Sequence, residues 1–132
     1  MDEVKQQEHP IGASGSVKVD VKRHEDYTTL YANYIVLEPS FWDLKMYFGE
    51  IDQSTVPPSI EVHTGMNISW PLAKILSYIL QAHLTGFEAQ HGKIKLPSEA
   101  LPPEWPQPPS DDPNAAVVHA KLKKLREELT GG

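Results

Sequence analysis

His83, Glu88 and His91 are the residues whose types and spacing come nearest to a metal site. On a helix, His83 and His91 share a face but stand two turns apart, about 12 Å along the axis, too far for one ion to join them. Glu88 and His91 are neighbours at i and i+3, yet two ligands at an exposed helix end make a poor site. Asp43, Glu61 and His63 could do acid–base chemistry by type, but on strands they read as outward-facing groups that do not converge on a pocket. Ser14 is flanked by Gly12, Ala13 and Gly15 without forming Gly-x-Ser-x-Gly, and no strand-to-helix elbow surrounds it. The expectation is therefore no enzyme, with no catalytic, cofactor-binding or metal-binding residue and no cofactor.

Tyr31, Tyr34 and Tyr47 could stack nucleic-acid bases, a mode that needs basic companions to hold the backbone. Between Thr28 and Ile94 the acids outnumber Lys45, Lys74 and Lys93, and the whole chain carries a formal charge of −6. That balance opposes attraction to phosphate, so nucleic acid is an unfavoured partner and the alternative reading. With no cysteine, disulfides and thiolate metal sites are excluded. Gly131-Gly132 invites comparison with ubiquitin-like tails, but a proline spacer and a helix intervene, and a helix stop at Gly131 explains the pair more simply. The start Met1-Asp2-Glu3 lacks the basic and apolar regions of a secretory signal. No run approaches the roughly 20 apolar residues of a membrane span. The expected location is cytoplasmic, with no membrane partner.

Residues 1–16 are polar and close on Gly12-Ala13-Ser14-Gly15-Ser16, a composition expected to be disordered. Val17, Val19 and Val21 alternate with charged residues, as in an edge strand. Thr29 to Leu37 reads as a central strand, with Leu30, Ala32, Tyr34 and Val36 on one face and Tyr31, Asn33, Ile35 and Leu37 on the other. After the turn at Glu38-Pro39-Ser40, a return strand carries Trp42, Leu44, Met46 and Phe48 on one side, and Gly49 allows a bend or bulge. A further strand alternates Ile60, Val62, Thr64 and Met66, with Gly65 marking a bulge or a close approach.

The helix that follows is signposted at both ends by Ser69 as cap, Pro71 in the first turn and Gly92 after the last. Leu72, Ile75, Leu76, Ile79, Leu80, Leu84 and Phe87 form one apolar stripe over roughly 33 Å. These patterns predict an α+β domain over 17–94, a three- to four-stranded antiparallel sheet covered by one long helix. The helix is expected on the Trp42, Leu44, Met46 and Phe48 face. Tyr31, Ile35 and Leu37 are then left on the second face, with Tyr78 and Ala82 off the stripe, as a patch that a second copy would bury.

Residues 95–113 are rich in proline and read as a stiff spacer, able to reach roughly 50 Å if extended. Trp105 within it could instead pin the segment to a groove. Asp112 and Pro113 then cap an amphipathic arm over 114–132, in which Ala115, Val118, Leu122, Leu125 and Leu129 make a short heptad seam. Two heptads are too few for a stable isolated helix pair, so the seam is expected to meet a partner. The arm can pack on its own domain or its dimer mate, or dock on another protein. Lys121, Lys123, Lys124 and Arg126 offer a basic face, which Glu127 and Glu128 weaken.

Tyr31-Ala32-Asn33-Tyr34, Pro39 with Phe41 or Trp42, Tyr47-Phe48-Gly49, Ser69-Trp70-Pro71-Leu72-Ala73-Lys74, and Phe87-Glu88 leading to Gly92-Lys93-Ile94 together resemble a small bacterial family catalogued as a domain of unknown function. Its members read roughly Tyr-Ala-Asn-Phe, Ser-Pro, Phe-Gly, then Pro-x-x-Ala-Lys before a helix ending in Tyr-Glu and Gly-x-Ile. Phe87, Trp42 and Lys45 depart from that pattern. The resemblance covers about half the chain and implies a bacterial cytoplasmic protein, with no activity to carry over. In architecture alone the chain is also similar to the secretion chaperone built of antiparallel sheets and long helices.

The expected function is a non-enzymatic, homo-oligomeric interaction or adaptor module, dimeric or higher, with a chaperone-like peptide groove as one version. Its expected partner-binding residues are Tyr31, Ile35, Leu37, Val118, Leu122, Leu125 and Leu129.

Overall fold

The computed structural model describes residues 5–10, 16–106 and 111–131. The chain is α+β. Five strands, β1 (Lys5–Pro10), β2 (Ser16–Val21), β3 (Tyr34–Pro39), β4 (Asp43–Asp52) and β5 (Ser59–Ser69), precede α1 (Trp70–His91) and α2 (Pro113–Leu129). It divides into two compact units, residues 1–73 and 74–132.

In the first unit, β1 and β2 form an antiparallel hairpin of their own, with Lys5 opposite Val21 and Pro10 opposite Ser16. This corrects two expectations. Residues 5–10 form a strand where composition suggested disorder, and β2 belongs to that hairpin instead of the edge of the main sheet. The alternating valines of β2 need an antiparallel neighbour, and the preceding segment supplies it. Ser14 and the rest of 11–15, like residues 1–4, lie outside the described residues.

The main sheet has three strands in the order β3-β4-β5, all antiparallel. β3 begins at Tyr34, five residues later than strand propensity indicates. Asn33 explains the delay: its amide oxygen accepts from the Ile51 N–H at 2.8 Å and its own N–H donates to the Gly49 carbonyl at 3.0 Å. Hydrogen bonds that a longer ladder would satisfy are taken by a side chain, which ends the pairing.

The β4–β5 register shifts between Phe48 and Gly49. Gly49 is buried there, and a Cβ added to it would overlap the Glu61 carbonyl oxygen, so the position admits only glycine. The bulge thus lies in β5, where His63 is the unpaired extra residue, opposite the close approach at Gly49. Gly65 has a different use: the Tyr47 ring lies 3.6 Å from where its Cβ would be. The β3–β4 turn is held by Ser40, whose hydroxyl accepts from the Asp43 N–H at 3.0 Å and the Trp42 N–H at 3.2 Å. Trp42 therefore sits in the turn and not on the return strand.

α1 follows β5 with no residue between them. Its caps agree with the sequence: Ser69 Oγ accepts from the Leu72 N–H at 3.3 Å, and Gly92, at φ +87°, donates its N–H to the Glu88 carbonyl at 2.9 Å. In the second unit, Asp112 caps α2 by accepting from the Asn114 N–H at 3.0 Å. The proline-rich segment does not run as a free spacer: it contains a 3-10 turn at Ser98–Ala100, and the Pro102 carbonyl accepts from Arg126 Nε at 3.0 Å. Gly131, at φ +125°, follows the end of α2, and Gly132 lies outside the described residues.

Candidate functional site

The chemistry-bearing residues are dispersed and mostly engaged in structure. His63 Nε2 lies 2.8 Å from the Tyr31 carbonyl, which requires the proton on that nitrogen, and its Nδ1 lies 2.8 Å from Thr64 Oγ1. The imidazole ties the segment before β3 to β5, leaving no free ring nitrogen to act as a base. Glu61 faces Glu50 across the ladder, and Asp43 accepts from the Ser40 hydroxyl at 2.9 Å. Glu88 accepts from the Ile94 N–H at 2.8 Å, and the His91 ring stands 4.6 Å from that of Phe87. Both members of that suggested ligand pair thus have structural partners. Among the described residues, no group of three or more His, Asp or Glu is placed to hold a metal ion.

Two exposed carboxyls are held below their usual range. For Asp52 the cause is first the Ser54 hydroxyl and then the Ser54 backbone N–H. For Glu99 it is first its own backbone N–H and then the Ser98 hydroxyl. Both serve local turns.

What the first unit does concentrate is apolar surface. Directly opposed residues of neighbouring strands share a face. Ile35 pairs with Phe48, Leu37 with Met46, Met46 with Met66, and Leu44 with Ile68. The register therefore collects Ile35, Leu37, Leu44, Met46, Phe48, Met66 and Ile68 on one side. Sequence reading divided them, placing Ile35 and Leu37 opposite Leu44, Met46 and Phe48; the pairing corrects that. Beyond the bulge, Val62 and Ile60 pair with Gly49 and Ile51, which turns them to the other face, away from Met66. Ile68 is 7% exposed and is the one buried apolar residue among those described, whereas Met66 remains 55% exposed and Ile35 and Leu37 are likewise open.

Phe41 and Trp42 add a knob that sequence reasoning passed over. They form an edge-to-face pair at 4.9 Å in the β3–β4 turn and are 85% and 82% exposed. Trp70 braces that turn by donating its indole N–H to the Ser40 carbonyl at 3.0 Å. The signal was present as two adjacent aromatics beside a Pro-Ser turn. Tyr31 lies outside the strands and is 69% exposed.

In the second unit, Ile75, Ile79, Leu80, Leu84 and Phe87 of α1 are all exposed. A shallow depression of about 600 Å³ lies along the C-terminal half of this stripe, lined by Leu80, His83, Phe87 and Ile94 among others. The flank of α1 at Gln81, Leu84, Thr85 and Glu88 shares a second depression with Leu125, Glu128 and Leu129 of α2, so Leu84 at the edge of the stripe faces both.

On α2 the half-buried side chains are Ala115, His119, Leu122 and Arg126. The suggested seam is thereby split. Leu122 is partly covered, while Val118, Leu125 and Leu129 are exposed. Arg126 also reaches Glu104 at 4.0 Å, and Trp105 lines a small pocket with His119, Lys123 and Arg126. Trp105 thus sits beside α2, with 66% of its surface open.

An antiparallel sheet with an exposed apolar face, followed in the chain by helices, defines an α+β protein whose prominent exposed surfaces are apolar and show no assembled catalytic cluster among the described residues. Residues 1–96 match the family described as protein of unknown function DUF3467, and the chain belongs to that family. No curated protein and no solved structure matches the chain. No helix among the described residues is long and apolar enough to cross a membrane.

Proposed function

We propose that this protein is a non-enzymatic module of the bacterial cytoplasm that associates with copies of itself and acts as an interaction or adaptor protein. One observation carries the reading. The large apolar side chains of the sheet face and the α1 stripe are 42% to 55% exposed in a single copy, apart from the partly covered Leu44, Met46, Phe48 and Leu76 and the buried Ile68. An apolar surface on this scale marks an interaction site, because leaving it in water forfeits about 25 cal/mol for every Å² that contact would cover. The exposed remainder of the α2 seam, Val118, Leu125 and Leu129, supports a second contact with another protein.

Sedimentation of the full chain at micromolar concentration is expected to show a species heavier than the 14.8 kDa monomer. A folded, ordered monomer overturns the reading. Affinity purification from native cells, with and without residues 95–132, then tests the adaptor role, and loss of captured proteins on truncation is expected. For the alternative, nucleic-acid binding, the supporting observation is Lys45 Nζ lying 5.6 Å over the Tyr47 ring. A salt-sensitive mobility shift with RNA or DNA would favour that alternative.

A further inference from the structure

We propose that residues 97–106 form a strap held on α2 only while His119 is neutral, so that protonating this one ring releases it. The contact lies within the second unit. The Pro102 carbonyl accepts from Arg126 Nε at 3.0 Å, and the Glu104 carboxylate stands 4.0 Å from the same guanidinium. Glu104 and Trp105 of the strap close a pocket of about 110 Å³ whose other walls, His119, Lys123, Arg126 and Glu127, all belong to α2. The strap has few further holds. Pro102, Pro103 and Pro106 have no backbone N–H to donate, and Trp105 leaves 66% of its surface open.

His119 is the anomaly of this pocket. Its Nδ1 is buried and has no hydrogen-bond partner, although the residue as a whole is only half-buried. Native interiors keep few such atoms, because an unpaired polar group has lost its water and gained nothing in exchange. With no acceptor for an N–H there, the neutral ring holds a bare lone pair at Nδ1 and its proton on Nε2. A second proton turns Nδ1 into a charged donor with nothing to donate to. A neutral orphan is tolerable, whereas a buried unpaired charge costs far more. The strap supplies the pocket's walls from outside α2, so moving it is what lets water reach the ring.

The charged neighbours fix the sign. From α2, Lys123 and Arg126 repel an imidazolium and Glu127 attracts it, while from the strap Glu104 attracts it. Glu104 and Glu127 are both exposed, so water screens their pull, whereas the penalty at Nδ1 is unscreened. Acid therefore opens the strap. Opening frees Trp105 and the Arg126 guanidinium on the helix that already exposes Val118, Leu125 and Leu129, and Trp and Arg are the side chains that most often anchor interfaces. That use rests on the proposed adaptor role, whereas the release does not.

Nitrogen–proton NMR of the full chain reads the strap through the Trp105 indole, assigned with Trp105→Phe, and through the Arg126 Nε–H. Spectra are compared at about pH 7.5 and about pH 5.5, which bracket the ordinary imidazole value and stay above that of carboxylates. The acid step is expected to move both signals to the positions of exposed side chains, with the released fraction rising about fivefold or more. His119→Leu is expected to keep the strap docked at both values, and His119→Gln takes its place should the leucine variant fail to fold. Signals that stay put in the unmutated chain overturn the proposal, as does the same movement in either variant or a movement that begins only in the carboxylate range. Failure here leaves the adaptor reading standing, and failure of that reading leaves the release standing.

Discussion

In α1 the apolar stripe is as open as the polar residues: Ile75, Ile79, Leu80 and Phe87 are exposed, and Ala73, Leu76 and Glu88 are the partly covered positions. In α2 the partly covered face is mixed, with His119 and Arg126 alongside Ala115 and Leu122, while Val118, Leu125 and Leu129 stay open. Both helices are capped and both carry an apolar stripe. The difference is what the chain brings to them. A proline-rich segment returns along α2, and its Pro102 carbonyl and Glu104 carboxylate call for a guanidinium, so Arg126 turns that way. Partial cover on α2 thus goes with polar partners as well as apolar content, the Arg126 stem being held beside the segment by its hydrogen bond to the Pro102 carbonyl.

The largest effect expected from this contrast is on α1. Replacing Ile75 and Ile79 together with Asp should weaken self-association at least a hundredfold while leaving helix content intact, since two charges would enter an apolar interface. Sedimentation and circular dichroism on one sample check both halves, and an unchanged oligomer would show that this stripe is idle.

A smaller effect separates the two sides of α2. Leu122→Asp should destabilise the helix by about 1–2 kcal/mol, because a half-covered Leu becomes a charge. Leu125→Asp should change local stability by less than about 0.5 kcal/mol and act on partner capture instead. Hydrogen exchange across 113–129, paired with affinity capture, distinguishes them. Equal protection in both variants would erase the distinction between covered and open faces.

The caps sharpen the comparison further. Ser69→Ala and Asp112→Ala should each cost about 1 kcal/mol of helix stability. Exchange at the first turn of the helix concerned should rise about fivefold, and no change in either would mean that its cap is dispensable.

The smallest effect concerns pH. Glu99 has its folded pKa lowered, chiefly by its own backbone N–H and then by the Ser98 hydroxyl. Its contribution to the 98–100 turn is therefore complete above the ordinary carboxylate value and is lost as pH falls through the lowered folded one. Acid below the ordinary carboxylate range should therefore loosen the 98–100 turn. Carboxyl titration by NMR, with Glu99→Gln as reference, reads this directly.

Much of the molecule is legible locally. Ser69, Pro71 and Gly92 bound α1 as expected, Asp112 and Pro113 open α2, and Gly49 stands opposite the bulge. The candidate surface was only partly legible. Ile35 and Leu37 are expected on an open apolar face and are exposed, but the pairing puts them with Leu44, Met46 and Phe48, which alternation alone assigns to the opposite face. Trp42 was placed on a strand because alternation extends through the turn, and only the Ser40 hydrogen bonds to the Trp42 and Asp43 backbone show where the strand begins.

Periodicity, capping residues and turn chemistry act within a few residues, so the sequence by itself determined both helices and the existence of β2 to β5, though not β1 or where β3 and β4 begin, and that the chain carries long stripes of apolar side chains. Which of those side chains share a surface was decided by tertiary pairing. A strand's period is two, so a one-residue shift at Gly49 sends Ile60 and Val62 to the face opposite Met66 and Ile68. No pattern read along a single strand contains the offset of its neighbour, and it is that offset which assembles Ile35, Leu37, Met46 and Met66 into one apolar face.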